Sequence, residues 1–103
     1  MASVERFFPL DHAAARGHFP GNPIIPGAVL LSETLQAIEA SLDLRLSPGQ
    51  VASAKFLHPA RPGDRVRIEF SRAAPGTVKF ACSVGALTVL TGVVTCEALS
   101  TRA

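Results

Sequence analysis

The segment GHFPGNPIIPG, Gly17 to Gly27, runs without a break into AVLLSETLQAI, Ala28 to Ile38, and this junction decides the fold. Each Pro around His18 restricts the backbone φ angle, and each Gly allows φ/ψ combinations that other residues avoid. The first half therefore predicts an irregular loop that holds His18 in place. Apolar side chains in the second half recur at the spacing of one helical face: Leu31, Leu35, Ile38 and Leu42. The sequence therefore predicts a helix that starts at Pro26 and ends near Leu42.

The predicted helix also carries small or apolar residues on its other faces. Val29, Leu30, Ala37 and Ala40 lie off the main apolar stripe. A helix that is apolar on most sides is typical of a buried position in the core. We therefore expect the rest of the chain to wrap around this helix.

Strand-like runs occur on both sides of the predicted helix. One run, VERFFPL (4–10), precedes it, and four follow the turn region DLRLSPGQ (43–50): VASAKFLH (51–58), DRVRIEFSR (64–72), TVKFACSV (77–84) and LTVLTGVVTCEAL (87–99). Consecutive strands with short connections pair in antiparallel fashion. In RVRIEF (65–70) apolar and charged residues alternate, so one face of that strand is expected to contact water. The sequence predicts an α+β fold in a single domain, residues 1–103.

The composition excludes several classes of function. The chain has 103 residues, a formal net charge of +2 and no Trp or Tyr, which argues against a nucleic-acid-binding protein. No apolar run approaches the roughly 18 residues that a membrane span requires, and the first residues do not form a signal peptide. We therefore expect a cytoplasmic protein without a membrane span.

The two cysteines, Cys82 and Cys96, match no zinc or redox motif, so packed thiols are expected. A two-residue hairpin tip at Gly85 and Ala86 would put Cys82 opposite Val89, far from Cys96, which argues against an internal disulfide. No residue set has the spacing of metal ligands, and no phosphate-binding loop is present. The sequence predicts no metal and no cofactor.

Two longer segments carry a family resemblance. GHFPGNPIIPGAVLLSETLQ (17–36) and KFLHPARPGDRVRIEF (55–70) resemble the recurrent segments of the hotdog-fold 3-hydroxyacyl-acyl carrier protein dehydratases, the FabA/FabZ-like family. The resemblance implies an antiparallel sheet wrapped around one long central helix. It also implies the elimination of water from a 3-hydroxyacyl thioester to give a 2-enoyl thioester. In this family two chains join their sheets, and the active sites lie at the interface.

The resemblance assigns roles to several residues of the first segment. His18 would be the base that removes the proton at C2, since a histidine is largely unprotonated at neutral pH. The backbone N–H of Gly27, at the positive end of the helix, would bind the thioester carbonyl oxygen. Phe19 would contact the substrate. The bound substrate would be a thioester of acyl carrier protein or of coenzyme A.

The family's helix acid is missing from its expected position. In the family an Asp or Glu follows the His by fourteen residues, and this chain has Ser32 there, whose neutral hydroxyl is a poor proton donor. Glu33 is one residue further and is rotated by about 100° around the helix, so it is expected to point away. Gln36 matches the family pattern, one turn beyond Ser32. The chain therefore resembles a short form without the usual acid.

Several functions remain open at this stage. A homodimer with Ser32 at both sites would be a slow dehydratase, and a related subunit that retains its helix acid would complete one site in a heterodimer. A hotdog thioesterase would use a helix carboxylate such as Glu33 to activate water. A non-catalytic subunit would bind an acyl chain without turnover. His12 and His58 carry no motif, so surface or structural roles are predicted for them.

Overall fold

Alternating and helical apolar patterns produce one helix and five strands in the computed structural model, which describes residues 2–9, 24–43, 46–74 and 76–96. The elements in chain order are β1 (Ala2–Phe7), α1 (Gly27–Leu42), β2 (Leu46–Phe56), β3 (Arg65–Ala74), β4 (Thr77–Val84) and β5 (Leu87–Cys96). The predicted helix and the five predicted strands are all present. They form the α+β hotdog arrangement that the resemblance implies.

The helix has defined ends. It begins directly after Pro26, whose φ of −55° and ψ of 143° keep it outside the helix, in the extended region. It ends at Asp43, which adopts a left-handed conformation with φ 57° and donates its N–H to the carbonyl oxygen of Glu39 at 2.8 Å. Aspartate is one of the few residues that tolerate this conformation. Both ends lie within a residue of the prediction.

The five strands form one sheet in the order β1-β3-β4-β5-β2, and every neighbouring pair is antiparallel. The short connections join β3 to β4 and β4 to β5 as neighbours, as predicted. The expectation that β2 also pairs with the next strand, β3, is wrong. β1 and β4 occupy the two hydrogen-bonding edges of β3, at Phe70 for example, so β2 pairs with β5 at the other end of the sheet.

The region predicted as a turn, residues 43–50, contributes the first part of β2. The strand starts at Leu46, and its pairing with β5 shifts register between Leu46 and Val51 and again between Val51 and Ser53. Pro48 lacks an N–H, and proline is tolerated at sheet edges and bulges. β2 is an edge strand, so this irregular stretch fits where a central strand would exclude it.

The core lies between the helix and one face of the sheet. On the helix, Leu30, Thr34, Leu35, Ala37 and Ile38 are buried, while Leu31 and Leu42 pack against the core and stay partly exposed. The buried sheet residues include Val66, Ile68, Phe70, Val78, Phe80, Leu90 and Val94. On β3 the charged residues that alternate with these buried ones, Arg65 and Arg67, are exposed, so the predicted alternation is confirmed. In the single chain the helix therefore has one buried and one open side.

The β4–β5 hairpin differs from the prediction by one residue. Val84 and Leu87 close the turn, and Gly85 has the positive φ of 60° that such a turn requires. A register shift follows at Ser83, so Cys82 lies opposite Leu90 and the predicted pairing with Val89 is wrong. Cys82 is a free, buried thiol. Burial raises its pKa to about 11, and a hydrogen bond with Thr34 offsets part of this effect.

Candidate active site

The start of α1 provides backbone N–H donors that have no partner within the helix. The carbonyl oxygen of Pro26 accepts hydrogen bonds from the N–H groups of Val29 and Leu30, both at 3.0 Å. The first residues of a helix have no acceptor one turn earlier, so helix geometry leaves the N–H groups of Gly27 and Ala28 without an intrahelical partner. The aligned peptide dipoles make this end partially positive. An oxygen that gains negative charge would be stabilised here.

Gly27 lies directly against the aromatic ring of Phe56 on β2. A Cβ atom at Gly27 would be 3.0 Å from Cε1 and 3.3 Å from Cδ1 and Cζ of that ring. Sequence reasoning explained this glycine by the close approach of a substrate. The structure adds a second reason, because any side chain here would require the ring to move by a few tenths of an ångström. Phe56 itself is 50% exposed.

A cavity of about 400 Å³ opens beside the helix start. Its lining residues are Ile24, Ile25, Gly27, Leu30, Phe56, Leu57, His58, Pro59 and Ala60. Most of them are apolar, and the volume lies in the range of about 300–1,000 Å³ that is typical of small-molecule sites. The N–H of Ile25 donates to the carbonyl oxygen of Ala60 at 2.7 Å, which holds the two walls together. The cavity combines an apolar surface with the donor end of a helix.

Ser32 and Gln36 form a separate polar pair on the helix. The side-chain amide of Gln36 donates a hydrogen bond to Ser32 Oγ at 3.3 Å, and both residues are exposed. Neither lines the cavity at Gly27. Five helical positions from Gly27 to Ser32 correspond to about 140° of rotation, which accounts for the separation. A single chain therefore does not bring Ser32 to the Gly27 amide.

Glu33 is half-buried, whereas Ser32 beside it is exposed, so the two side chains have different surroundings. Glu33 does not line the cavity at Gly27 either. His18 and Phe19 lie outside the described residues. Of the four singled-out residues that the structure describes, only Gly27 lies in the cavity, and Ser32 and Gln36 contact each other.

Sequence reasoning missed two residues of this cavity. Phe56 was read only as part of a strand, and His58 was given a surface or structural role. His58 is exposed, and it also lines the cavity that contains Gly27. Both residues belong to the segment KFLHPARPGD, which precedes β3. The family resemblance includes that segment, which indicated that it has a role in the fold or the site. No residue pattern within the segment predicts that it packs against the start of the helix.

Among the described residues, no three His, Cys, Asp or Glu side chains lie together as a metal site would require. No helix in the same part of the chain has both the length and the apolar character of a membrane span.

Comparison with protein-family models decides the family. The model described as ApeI-like, ApeI dehydratase, matches residues 1–93. The chain belongs to the ApeI-like family. Among solved structures, one chain of the dehydratase heterocomplex ApeI:P from Xenorhabdus doucetiae is similar, with a TM-score of 0.74 at 18% identity, over 91% of this chain and 84% of that one. At this identity the similarity to ApeI:P shows a shared fold.

Curated relatives of this ApeI-like chain are 3-hydroxyacyl-[acyl-carrier-protein] dehydratases named FabZ. The one from Levilactobacillus brevis is 39% identical over 82 residues, which cover 68% of this chain and 55% of the relative. The one from Pectobacterium atrosepticum is 35% identical over 94 residues, which cover 81% of this chain and 60% of the relative. The ApeI-like chain thus spans a little over half the length of these relatives.

The hotdog fold also occurs in a protein with a different assigned function. The structure of a probable thioesterase from Bartonella henselae matches 92% of this chain and 86% of its own, with a TM-score of 0.67 at 16% identity. The ApeI-like chain therefore shares its architecture with dehydratases and with a probable thioesterase. The fold alone does not distinguish the two reactions.

Proposed function

We propose that this protein is a dehydratase that eliminates water from 3-hydroxyacyl thioesters to give 2-enoyl thioesters. The observation that carries the proposal is the Gly27 amide, which lies at the donor end of α1 in the wall of an apolar cavity of about 400 Å³. An apolar cavity accepts an acyl chain, and the amide faces the charge that the reaction creates. The FabZ relatives, which are 3-hydroxyacyl-[acyl-carrier-protein] dehydratases, support the same reaction class.

The proposed chemistry starts with loss of the proton at C2. This step moves negative charge onto the thioester carbonyl oxygen, where the Gly27 N–H and the positive end of the helix stabilise it. One such donor typically contributes about 10² to 10³ in rate. We assign the removal of the proton to His18, in line with the family resemblance. The base and the Gly27 amide would then belong to the same chain.

We propose that Ser32 makes the lone protein a weak dehydratase. General acid catalysis is typically worth about 10² to 10⁴ in rate, and a serine hydroxyl does not supply it. Gln36, whose amide bonds Ser32 Oγ at 3.3 Å, would share that part of the site. In one version of the proposal two copies of this chain form a slow homodimer.

In the second version this chain pairs with a related subunit that retains its helix acid. One site would then combine His18 and Gly27 of this chain with the acid of the partner. The dehydratase heterocomplex ApeI:P, one chain of which has a similar structure, supports this version. We further propose that the substrate is carried by acyl carrier protein, with a coenzyme A thioester as the alternative carrier. No cofactor is needed for this elimination.

The test is a turnover assay with 3-hydroxyacyl thioesters of acyl carrier protein and of coenzyme A. The protein is assayed alone and with candidate partner subunits, and 2-enoyl product and free thiol are measured in parallel. Enoyl product that disappears in the His18→Ala variant supports the dehydratase. Release of free thiol without enoyl product supports the thioesterase, in which Glu33 would activate water. Binding of the partner without either product supports a non-catalytic subunit.

A further inference from the structure

The cavity beside Gly27 contains a titratable group that the proposed chemistry has not used. Of the nine described residues that line it, eight have apolar side chains or none, and His58 is the one with an acid–base side chain. His58 is also exposed to solvent. An exposed imidazole in the wall of an apolar cavity can exchange protons with water and deliver them to a bound molecule.

The backbone around His58 is held on both sides. The N–H groups of Leu57 and His58 both point to the carbonyl oxygen of Val89, at 2.9 Å and 3.4 Å. Two residues later, the carbonyl oxygen of Ala60 accepts the N–H of Ile25, just before the helix. Pro59 between them has a restricted φ. The segment is thus tied to β5 on one side and to the helix entrance on the other.

A homodimer of this chain lacks the family's helix carboxyl group, because Ser32 stands at that position in both copies. Ser32 has no carboxyl group and does not line the cavity, and Glu33 does not line it either. The departing 3-hydroxyl group needs a proton, because hydroxide is a poor leaving group. Among the described residues of the cavity, His58 alone can supply it.

We infer that His58 is a weak substitute for the acid that is absent at Ser32, and that it protonates the 3-hydroxyl group in the Gly27 cavity of the slow homodimer. This inference rests on the proposed dehydratase function. The proton at C2 leaves to the base, the C2–C3 double bond forms and the C3–O bond breaks. The oxygen takes the proton of the His58 imidazolium and departs as water. His58 is left neutral and regains its proton from solvent, so the balance is one thioester to one enoyl thioester and one water.

The experiment compares the wild-type protein with His58→Gln and with the double variant His58→Gln/Ser32→Asp. Glutamine keeps a polar side chain but is not an acid. Two rates are measured for each protein: elimination of water from a 3-hydroxyacyl thioester, and exchange of its C2 hydrogen in D₂O. Exchange of the C2 hydrogen needs only the base and the Gly27 N–H that binds the carbonyl oxygen, so its rate tests the proposed function. Elimination also needs the acid, so its rate tests the role of His58. Lys55→Gln is the matched control, since Lys55 is exposed on β2 and does not line the cavity.

We expect His58→Gln to lower the already slow kcat for elimination by at least about tenfold with an unchanged KM, while C2 exchange continues. Adding Ser32→Asp should make elimination at least about tenfold faster than in His58→Gln alone. Lys55→Gln should leave both rates unchanged. Unchanged elimination in His58→Gln overturns the inference, and so does a higher KM with intact kcat, which would make His58 a residue that binds the carrier. Absence of both exchange and elimination in the wild-type protein overturns the proposed function itself.

Discussion

The ring of Phe56 crowds the space that a side chain on Gly27 would need, with Cε1 only 3.0 Å from the position of a Cβ atom. The contact joins the edge strand β2 to the first residue of the helix. It places an aromatic wall beside the backbone amide that the proposed reaction uses. The identity of the residue at position 27 is therefore coupled to the one at position 56.

This coupling is measurable in a double-mutant cycle. Gly27→Ala should be less favourable for stability in the wild-type background than in a Phe56→Ala background, by at least about 0.5 kcal/mol, because the new methyl group displaces the ring only when the ring is present. Urea unfolding of the four proteins gives the coupling free energy. Ala28→Ser, at the next and exposed position, is a control that should show no coupling to Phe56. Additive effects of Gly27→Ala and Phe56→Ala would contradict the contact.

The buried thiol of Cys82 predicts a loss of stability in alkali. Burial raises its pKa to about 11 from an ordinary 9.0, so the unfolded chain loses this proton at lower pH than the folded chain. The contribution to stability is fully present below pH 9, decreases as pH rises from about 9 and is lost above about 11. Two pKa units correspond to about 2 to 3 kcal/mol.

Urea unfolding at pH 8, 9, 10 and 11 checks this dependence. The wild-type protein should lose more stability over this range than Cys82→Ala, although the variant starts from a lower value because it leaves a small cavity. The difference between the two curves isolates Cys82, since the rest of the chain is the same in both proteins. Parallel curves for the two proteins would mean that the thiol is not protected by burial.

An acid at position 32 should increase the rate of dehydration. Ser32→Asp restores the carboxyl group that the family resemblance expects, so a homodimer of the variant should eliminate water at least tenfold faster than the wild type. Ser32→Ala is the matched control and should show no gain. The gain should vanish when His18→Ala is added, and turnover of a 3-hydroxyacyl thioester measures all four proteins. A folded Ser32→Asp protein without any gain would favour the thioesterase or the non-catalytic subunit.

The open side of the helix and the free edge of β2 predict a dimer. Edge strands expose unpaired N–H and C=O groups, and Ser32 and Gln36 face solvent in the single chain. A second hotdog subunit would cover both features and bring a helix toward the neighbouring site. Sedimentation equilibrium at micromolar concentration should give twice the chain mass of 10.8 kDa. A mass of one chain at that concentration, with and without a related subunit, would contradict this prediction.

Local patterns in the sequence were enough to predict the elements. Pro26 and the apolar spacing up to Leu42 determined the bounds of the helix, since both act within one or two turns of the chain. The alternation along β3 determined which of its side chains are buried, because successive residues of a strand point to opposite faces. The absence of a helix acid at Ser32 follows from the family resemblance by counting from His18, and its effect on activity stays a prediction.

Tertiary structure decided everything that depends on which segments meet. β2 pairs with β5 because β1 and β4 already occupy both edges of β3, and no pattern within β2 contains that information. That placement is what carries Phe56 to Gly27 and His58 into the cavity. The register of Cys82 likewise depends on a shift beside it in the hairpin. Periodicity is a property of one segment, whereas edge occupancy, register and cavity walls are shared between segments far apart in the chain, and packing alone selects them.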